Sequence, residues 1–275
     1  PTITGTGENG ATVTLYEGAT ALGSAVVSGG VWSITPTTPL TTGDYSLTAK
    51  QTDAAGNVSA ASAALSITID ADAPTAPGAL DLSTPSDSGT DDSDNITSDT
   101  TPTITGTGED GATVTLYDGA TAKGTAVVSS GVWSITPATA LAAGVHSLTA
   151  KQVDAAGNVS AASAALSVTI DASVAAPAAL DLATASDTGT STTDNLTNDT
   201  TPTITGTGEN GATVTLYEGA TALGSAVVSG GVWSIDASTL TAGAHSLTAK
   251  QVDVAGNASI ASAALDSRWP GRYGM

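Results

Sequence analysis

The sequence predicts an all-β protein whose β-sandwich domains are arranged end to end, and three observations lead to this fold class. First, residues 1–34 recur letter for letter at 202–235, and a close copy lies at 102–135. Second, small and β-branched residues are abundant and the chain contains 31 glycines, a composition that suits short strands and tight turns. Third, apolar and polar residues alternate in segments such as Ala112–Tyr117. A period near 100 residues therefore predicts one independent sandwich per copy.

The strands of the middle copy can be predicted from the turn sequences between them. The breaks GEDG, DGA, SSG and DAAGN contain residues that tolerate a positive φ. The predicted strands, lettered A to G in chain order, are Ala79–Ser83, Thr103–Gly108, Ala112–Asp118, Ala122–Ser129, Val132–Thr136, Gly144–Asp154 and Ala162–Asp171. Seven strands in about 100 residues is the count of an immunoglobulin-like sandwich.

The phase of the repeat predicts the domain boundaries. We expect a repeat that lacks its first strand at 1–72, a complete repeat at 73–172 and a repeat with a truncated last strand at 173–265. Residues 266–275 depart from the pattern, and Pro270 is expected to end any strand there, so we interpret them as a non-native-looking tail. The chain also begins inside the pattern, which predicts a piece of a longer protein.

The charge of the chain restricts its partners. With 26 acidic and six basic residues the formal net charge is −20, which disfavours nucleic acid and anionic membranes and favours hard divalent cations. No Cys is present, so disulfides and Cys-based zinc sites are excluded. No run of eighteen apolar residues occurs, so no membrane insertion is predicted.

The acidic segment Ser86–Thr101 is the most unusual stretch of the chain, and its position in the repeat makes it the A–B loop. Because strands alternate in direction, this loop and the end of strand G lie at one end of a sandwich, and the B–C and F–G turns lie at the other. In a head-to-tail chain these two ends meet. At the junction of the second and third repeats this brings together Asp87, Asp94, Asp99 and Asp171 from one side, and Glu209, Asn210, Asp253 and Asn257 from the other.

Carboxylate and amide oxygens assembled from distant loops favour Ca²⁺, because zinc prefers nitrogen or sulfur ligands and magnesium demands a stricter geometry. The spacing in the A–B loop does not fit an EF-hand. The complete set of predicted metal ligands, with the equivalent positions of the other copies, is Asp87, Asp94, Asp99, Asp171, Glu209, Asp253, Asn257, Asp70, Glu109, Asp154, Asn158, Asp187, Asp194 and Asp199.

Differences between the copies divide the aspartates of the A–B loop into two groups. Asp91 and Asp92 become Ser191 and Thr192 in the third repeat, so they are predicted to be dispensable, whereas Asp87, Asp94 and Asp99 have counterparts there. A structural alternative stays open for every one of them, because Asp in a turn often only accepts hydrogen bonds from its own backbone. The turn from Asp154 to Asn158 needs no metal on that interpretation.

The quoted motifs also carry a resemblance. TPTITGTGEDGATVTLYDG, VWSI and DAAGNVSAASAAL resemble the bacterial Ig-like repeats of giant surface adhesins and biofilm-associated proteins. This resemblance implies a rod of tandem domains that holds an adhesive tip away from the bacterial cell, and calcium that stiffens the domain junctions. It implies an extracellular or cell-surface location. The glycine- and aspartate-rich nonapeptides that many relatives carry near their C-terminus are not found in this sequence.

No catalytic constellation is predicted, so we do not expect an enzyme. His146 and His245 occupy one strand position that is Tyr45 in the first copy, which favours a half-buried structural residue. The three tryptophans of the VWSI segments are expected to be core anchors. Two functions stay open: a structural spacer, favoured by near-identical copies, and an Ig-like module that recognises a glycan or protein. At −20 a monomeric rod is expected, whose partners are neighbouring repeats and Ca²⁺.

Overall fold

The computed structural model describes the backbone of residues 1–269, and the elements assigned there are all β-strands. This confirms the predicted all-β class. Within the same residues no helix is long and apolar enough to cross a membrane. Two compact units are distinguished: one comprises residues 1–76, 111–113 and 151–161, and the other comprises residues 77–110, 114–150 and those from 162 onward.

The first repeat forms two antiparallel sheets, in the orders β1-β4 and β3-β2-β5-β6. Its strands are β1 (Ile3–Thr6), β2 (Thr12–Glu17), β3 (Thr20–Val26), β4 (Val31–Ile34), β5 (Gly43–Thr52) and β6 (Leu65–Ile69). Val13 and Leu15 of β2 and Leu47 of β5 are buried on the inward face, as the alternation in the sequence predicts.

The second repeat contains all seven predicted strands, in the sheet orders β12-β9-β7 and β11-β10-β13-β14-β8. Its strands are β7 (Gly78–Leu82), β8 (Ile96–Thr97), β9 (Ile104–Thr107), β10 (Thr113–Asp118), β11 (Thr121–Val127), β12 (Val132–Ile135), β13 (Gly144–Val153) and β14 (Leu166–Ile170). Strand β8 is the one element that the sequence did not predict. It lies within the A–B loop and pairs in parallel with β14, so part of this loop is held in a sheet.

The third repeat has the sheet orders β15-β16-β19 and β18-β17-β20-β21. Its strands are β15 (Ala178–Leu182), β16 (Thr203–Thr207), β17 (Thr213–Glu218), β18 (Thr221–Val227), β19 (Val232–Asp236), β20 (Gly243–Val252) and β21 (Leu265–Trp269). Strand β21 differs from the truncated strand that we expected. It pairs with β20 over five residues because Leu265 and Ser267 keep the inward alternation. The rest of the predicted tail, residues 270–275, lies outside the described residues.

The tryptophan of each VWSI segment packs on a glycine of the neighbouring strand. Trp133 and Trp233 are 4% and 3% exposed, which confirms their prediction as core anchors. A Cβ atom on Gly206 would lie 2.3 Å from the Trp233 ring, so only glycine allows this close approach. Trp32 is half-buried, because within residues 1–77 no strand equivalent to β7 pairs with β1.

The His and Tyr position at the start of strand F is structural, as predicted. His146 Nδ1 lies 2.8 Å from Asp118 Oδ2, and its Nε2 lies 2.8 Å from the Ala142 carbonyl oxygen. His245 makes the equivalent contacts with Glu218 and the Thr241 carbonyl. In the first repeat the Tyr45 hydroxyl donates to the carbonyl four residues earlier. All three side chains therefore fasten the preceding loop to the strand.

Candidate metal centre

Three carboxylates from separate elements of the second compact unit converge between the second and third repeats. Asp171 follows β14, Glu209 lies in the turn between β16 and β17, and Asp253 follows β20. Each offers a carboxylate oxygen, and these oxygens lie within 4.8 Å of one another. We call these three residues the junction cluster. Asp253 is 3% exposed, and the other two are half-buried.

A buried glutamine positions the elements around the junction cluster. Gln251 is 1% exposed, and its Oε1 accepts a hydrogen bond from the Glu209 backbone N–H at 3.1 Å. Its Nε2 donates to the Ala175 carbonyl oxygen at 2.8 Å. A single side chain therefore fastens the B–C turn of the third repeat and the segment that follows Asp171.

Asn257 fixes the orientation of the Asp253 carboxylate. Its backbone N–H donates to Asp253 Oδ1 at 2.7 Å, and its Nδ2 donates to Asp253 Oδ2 at 2.8 Å. The same Nδ2 lies 2.7 Å from the Asp171 carbonyl oxygen. Gly256, with a φ of +88°, allows the tight turn between them. The amide nitrogen of Asn257 thus acts as a donor that ties the two repeats together.

The electrostatics of the junction cluster favour a cation. Burial raises the pKa of Glu209, and the negative charges of Asp171 and Asp253 raise it further. The ion pairs of the described residues, Lys123–Asp118, His146–Asp118 and His245–Glu218, involve none of the three. Carboxylate oxygens alone, without nitrogen or sulfur, suit a hard cation rather than zinc. The cluster is therefore a group of acidic residues that is able to bind a metal ion.

The aspartates of the second-repeat A–B loop, Ser86–Thr101, have a different environment. Asp87 Oδ2 accepts from the Asn95 N–H at 3.1 Å, Asp94 Oδ1 from the Ile96 N–H at 2.9 Å, and Asp99 Oδ1 from the Thr101 N–H at 2.9 Å. The group of three at the junction does not include them. The equivalent bonds of the third-repeat A–B loop, Ser186–Thr201, join Asp187 to Asn195, Asp194 to Leu196 and Asp199 to Thr201.

The second-repeat A–B loop nevertheless lies against the third repeat, at the F–G turn between Asp253 and Asn257. Ser88 Oγ donates to the Ala255 carbonyl oxygen at 2.6 Å. A Cβ atom on Gly89 would lie 2.0 Å from the Val254 carbonyl oxygen, so the two backbones are in close contact. The A–B loop therefore contributes to the junction through backbone and hydroxyl contacts, whereas Asp171 contributes the carboxylate.

The predicted ligands near the first repeat are placed as follows. In the first compact unit, Asn158 Nδ2 donates to Asp154 Oδ2 at 2.8 Å and lies 3.2 Å from the Asp70 carbonyl oxygen. Hydrogen bonds from Asn158 lower the pKa of Asp154, as Asn57 does for Asp53 in the same turn of the first repeat. Glu109 belongs to the second compact unit.

Sequence reasoning missed Gln251 and its counterpart Gln152, whose Nε2 donates to the Thr75 carbonyl oxygen at 2.7 Å. The signal was present, because a polar residue occupies an inward position of a strand with strict alternation in all three copies. It also missed Asn95 and Asn195. Both have a φ of +58°, and both side chains carry a buried oxygen that no donor contacts.

Tandem immunoglobulin-like sandwiches with acidic residues at a junction define the class of protein, and sequence comparison gives the family. The chain matches the bacterial Ig-like domain over residues 1–71, 74–172 and 173–267, so it belongs to that family. The resemblance found in the sequence is thereby confirmed.

Individual relatives come from several kinds of protein. Exoglucanase B of Cellulomonas fimi is 34% identical over 273 residues, which cover 91% of this chain and 22% of that protein. The chain thus spans about a fifth of that relative. Among solved structures, fibronectin(III)-like modules of Clostridium thermocellum CbhA align with 72% of this chain and 97% of their own, at 16% identity and a TM-score of 0.38. A 1.5-MDa bacterial ice-binding adhesin aligns with 98% of this chain and 90% of its own, at 21% identity and a TM-score of 0.37.

Proposed function

We propose that this chain is a set of spacer repeats from an extracellular bacterial surface adhesin, and that Ca²⁺ at the junction cluster fixes the second repeat to the third. The observation that carries the proposal is the convergence of Asp171 from one repeat with Glu209 and Asp253 from the next. One ion bound by all three would connect both repeats through strong ligands.

The physical effect of such an ion follows from the charges. Without a cation, three carboxylates within 4.8 Å repel one another, and their repulsion acts against the contact between the two repeats. With Ca²⁺ bound, the same carboxylates attract a common centre, and calcium accepts the loose geometry that three separate elements provide. Calcium thereby replaces repulsion by attraction at the junction and stiffens it, which is the property that a spacer needs.

The similarity of the repeats and the burial of two of their tryptophans favour a spacer role over a ligand-binding module. Near-identical copies change the reach of a chain without creating a new surface. Trp133 and Trp233, the tryptophans of the VWSI segments in the two later copies, are buried and offer no face on which a sugar ring could stack. His146 and His245 are engaged in fastening loops, so we propose no catalytic role for them.

Melting curves of the full chain in millimolar calcium and in chelator test this proposal. A ligand that binds only the folded state stabilises it by RT ln(1 + [L]/Kd), about 2.7 kcal/mol at a hundred times Kd. We expect calcium to raise the melting temperature and, in small-angle scattering, to narrow the distribution of maximum dimensions. The triple variant D171N/E209Q/D253N should lose both effects.

The matched control is Asp53→Asn. Asp53 occupies the turn position of Asp253 in the first repeat and makes the same bonds to its turn, with Asn57 in place of Asn257. It belongs to no group of three carboxylates within the described residues. It should therefore weaken the turn equally in calcium and in chelator. Identical melting curves of the parent chain in the two conditions would exclude a calcium-stabilised junction.

A further inference from the structure

The two A–B loops contain buried acceptor oxygens that no donor contacts. In the second-repeat A–B loop these are Asp87 Oδ1 and Asn95 Oδ1, and in the third-repeat A–B loop they are Asp187 Oδ1 and Asn195 Oδ1. Asp87 and Asp187 are 6% and 3% exposed. Because a buried acceptor without a partner costs about 1–3 kcal/mol, its occurrence twice at equivalent positions indicates that these oxygens face a donor or a cation that is not part of the chain.

The geometry of each loop brings its two residues together. The Asn95 backbone N–H donates to Asp87 Oδ2 at 3.1 Å, and the Asn195 N–H makes the same bond to Asp187 at 3.3 Å. Both asparagines have a φ of +58°, the left-handed conformation that Asn tolerates better than most residues.

Each loop is held rigidly around this pair by its own backbone. The Asp87 and Asp187 N–H groups donate to the carbonyl oxygens of residues 83 and 183. In the second-repeat A–B loop, the buried Thr97 hydroxyl donates to the Ser86 carbonyl oxygen at 2.5 Å. A loop that is fixed by these bonds cannot easily rotate its buried oxygens toward water.

The burial comes from the loop itself and not from a neighbouring repeat. Around Gly189, the counterpart of Gly89, a Cβ atom would meet nothing within 4 Å, and yet Asp187 is as buried as Asp87. These oxygens are therefore distinct from the junction cluster.

We propose that each A–B loop binds its own hard divalent cation, Ca²⁺, through the carboxylate of Asp87 and the amide oxygen of Asn95, and through Asp187 and Asn195 in the third repeat. A carboxylate paired with an amide carbonyl is the mixture of oxygen ligands that calcium takes. Burial raises the pKa of Asp87, and the nearby charges of Asp94, Asp91 and Asp92 raise it further, so a cation bound there would offset both the desolvation and the repulsion.

The two loops differ in the charge around the proposed ion. The second-repeat A–B loop carries Asp91 and Asp92, where the third has Ser191 and Thr192. Calcium affinity rises with the number of charged ligands and neighbours. The ion in the second-repeat A–B loop should accordingly bind more tightly than the ion in the third.

Calcium stoichiometry of the full chain, measured by titration calorimetry, tests the proposal. The double variant D87N/D187N should bind two ions fewer than the parent chain. The junction variant D171N/E209Q/D253N should instead lose a different ion, so failure of the junction proposal and failure of this one are distinguishable. The matched control D99N/D199N should keep both loop ions, because Asp99 and Asp199 accept bonds from Thr101 and Thr201.

The same loop variant has a second readout, in chelator. Asn at position 87 still offers an oxygen to the Asn95 N–H, and its new amide N–H₂ is a donor within the buried pair. We expect D87N/D187N to fold, to melt at a higher temperature than the parent chain in chelator, and to lose the stabilisation by the two loop ions. If D87N/D187N binds as many calcium ions as the parent chain, a proton or a water molecule fills these positions and the proposal is overturned.

Discussion

The junction cluster and the second-repeat A–B loop are both acidic and both lie where the second repeat meets the third, but their carboxylates are held in different ways. In the loop, Asp94 and Asp99 accept hydrogen bonds from N–H groups two residues further along the chain. In the cluster, Asp171, Glu209 and Asp253 come from residues up to 82 positions apart and converge on one another. Dense acidic sequence therefore produced turns in which Asp94 and Asp99 accept backbone hydrogen bonds, whereas sparse acidic residues on separate elements produced a group of three converging carboxylates.

The largest expected effect is a loss of stability at Gly89, where the backbone of the second-repeat A–B loop contacts the third repeat. Gly89→Ala places a Cβ 2.0 Å from the Val254 carbonyl oxygen, whereas Gly189→Ala meets nothing within 4 Å. Both variants carry the strain of a positive φ, about 1–3 kcal/mol. The overlap should cost Gly89→Ala about 1–3 kcal/mol more. Chemical denaturation in chelator measures the difference, and equal losses would show that the loop does not dock on the third repeat in solution.

A smaller effect on stability is expected from substitution of Glu209, and its sign should differ between chelator and calcium. Burial and two neighbouring charges raise its folded-state pKa above the ordinary 4.5, so its ionised form destabilises the folded chain. In chelator, Glu209→Gln should thus be more stable than the parent by about 0.5–1 kcal/mol at neutral pH. The advantage should disappear as the pH falls through the raised pKa and below 4.5, where Glu209 is protonated in both states.

In calcium the parent chain should be more stable than Glu209→Gln, the reverse of the order in chelator, because the substitution removes a charged ligand. Each tenfold loss of affinity costs about 1.4 kcal/mol at saturating calcium. Melting curves of both proteins across pH, with calcium and with chelator, measure this reversal of their relative stability. A variant that is less stable in both conditions would contradict repulsion within the cluster.

The smallest effect is expected at Asp99, which the sequence predicted as a junction ligand. Asp99→Asn retains an oxygen for the Thr101 N–H and loses only the charge, so the stability should change by less than about 0.5 kcal/mol. The calcium-dependent shift of the melting temperature should equal that of the parent chain. A reduced shift would place Asp99 among the ligands after all and would weaken the contrast between loop and cluster.

The sequence by itself determined the repeat, the sandwich and most strand limits. These follow from local patterns: alternation in segments such as Thr113–Asp118, and glycines at turns, each of which acts within a few residues. The same local patterns predicted that Trp133 and Trp233 are buried, because the chain is poor in other aromatic side chains.

The tertiary structure alone decided which acidic residues meet. Asp87, Asp99 and Asp171 were all expected at one junction, but only Asp171 joins Glu209 and Asp253 there. In the loop, one carboxylate oxygen of Asp87 and one of Asp99 accept from the N–H groups of Asn95 and Thr101 instead. Convergence depends on the packing of one repeat on the next and on Gln251, whose side chain fixes elements 42 and 76 residues away in the sequence. Distances of that kind arise from the fold as a whole, and a local pattern of residue types contains no information about them.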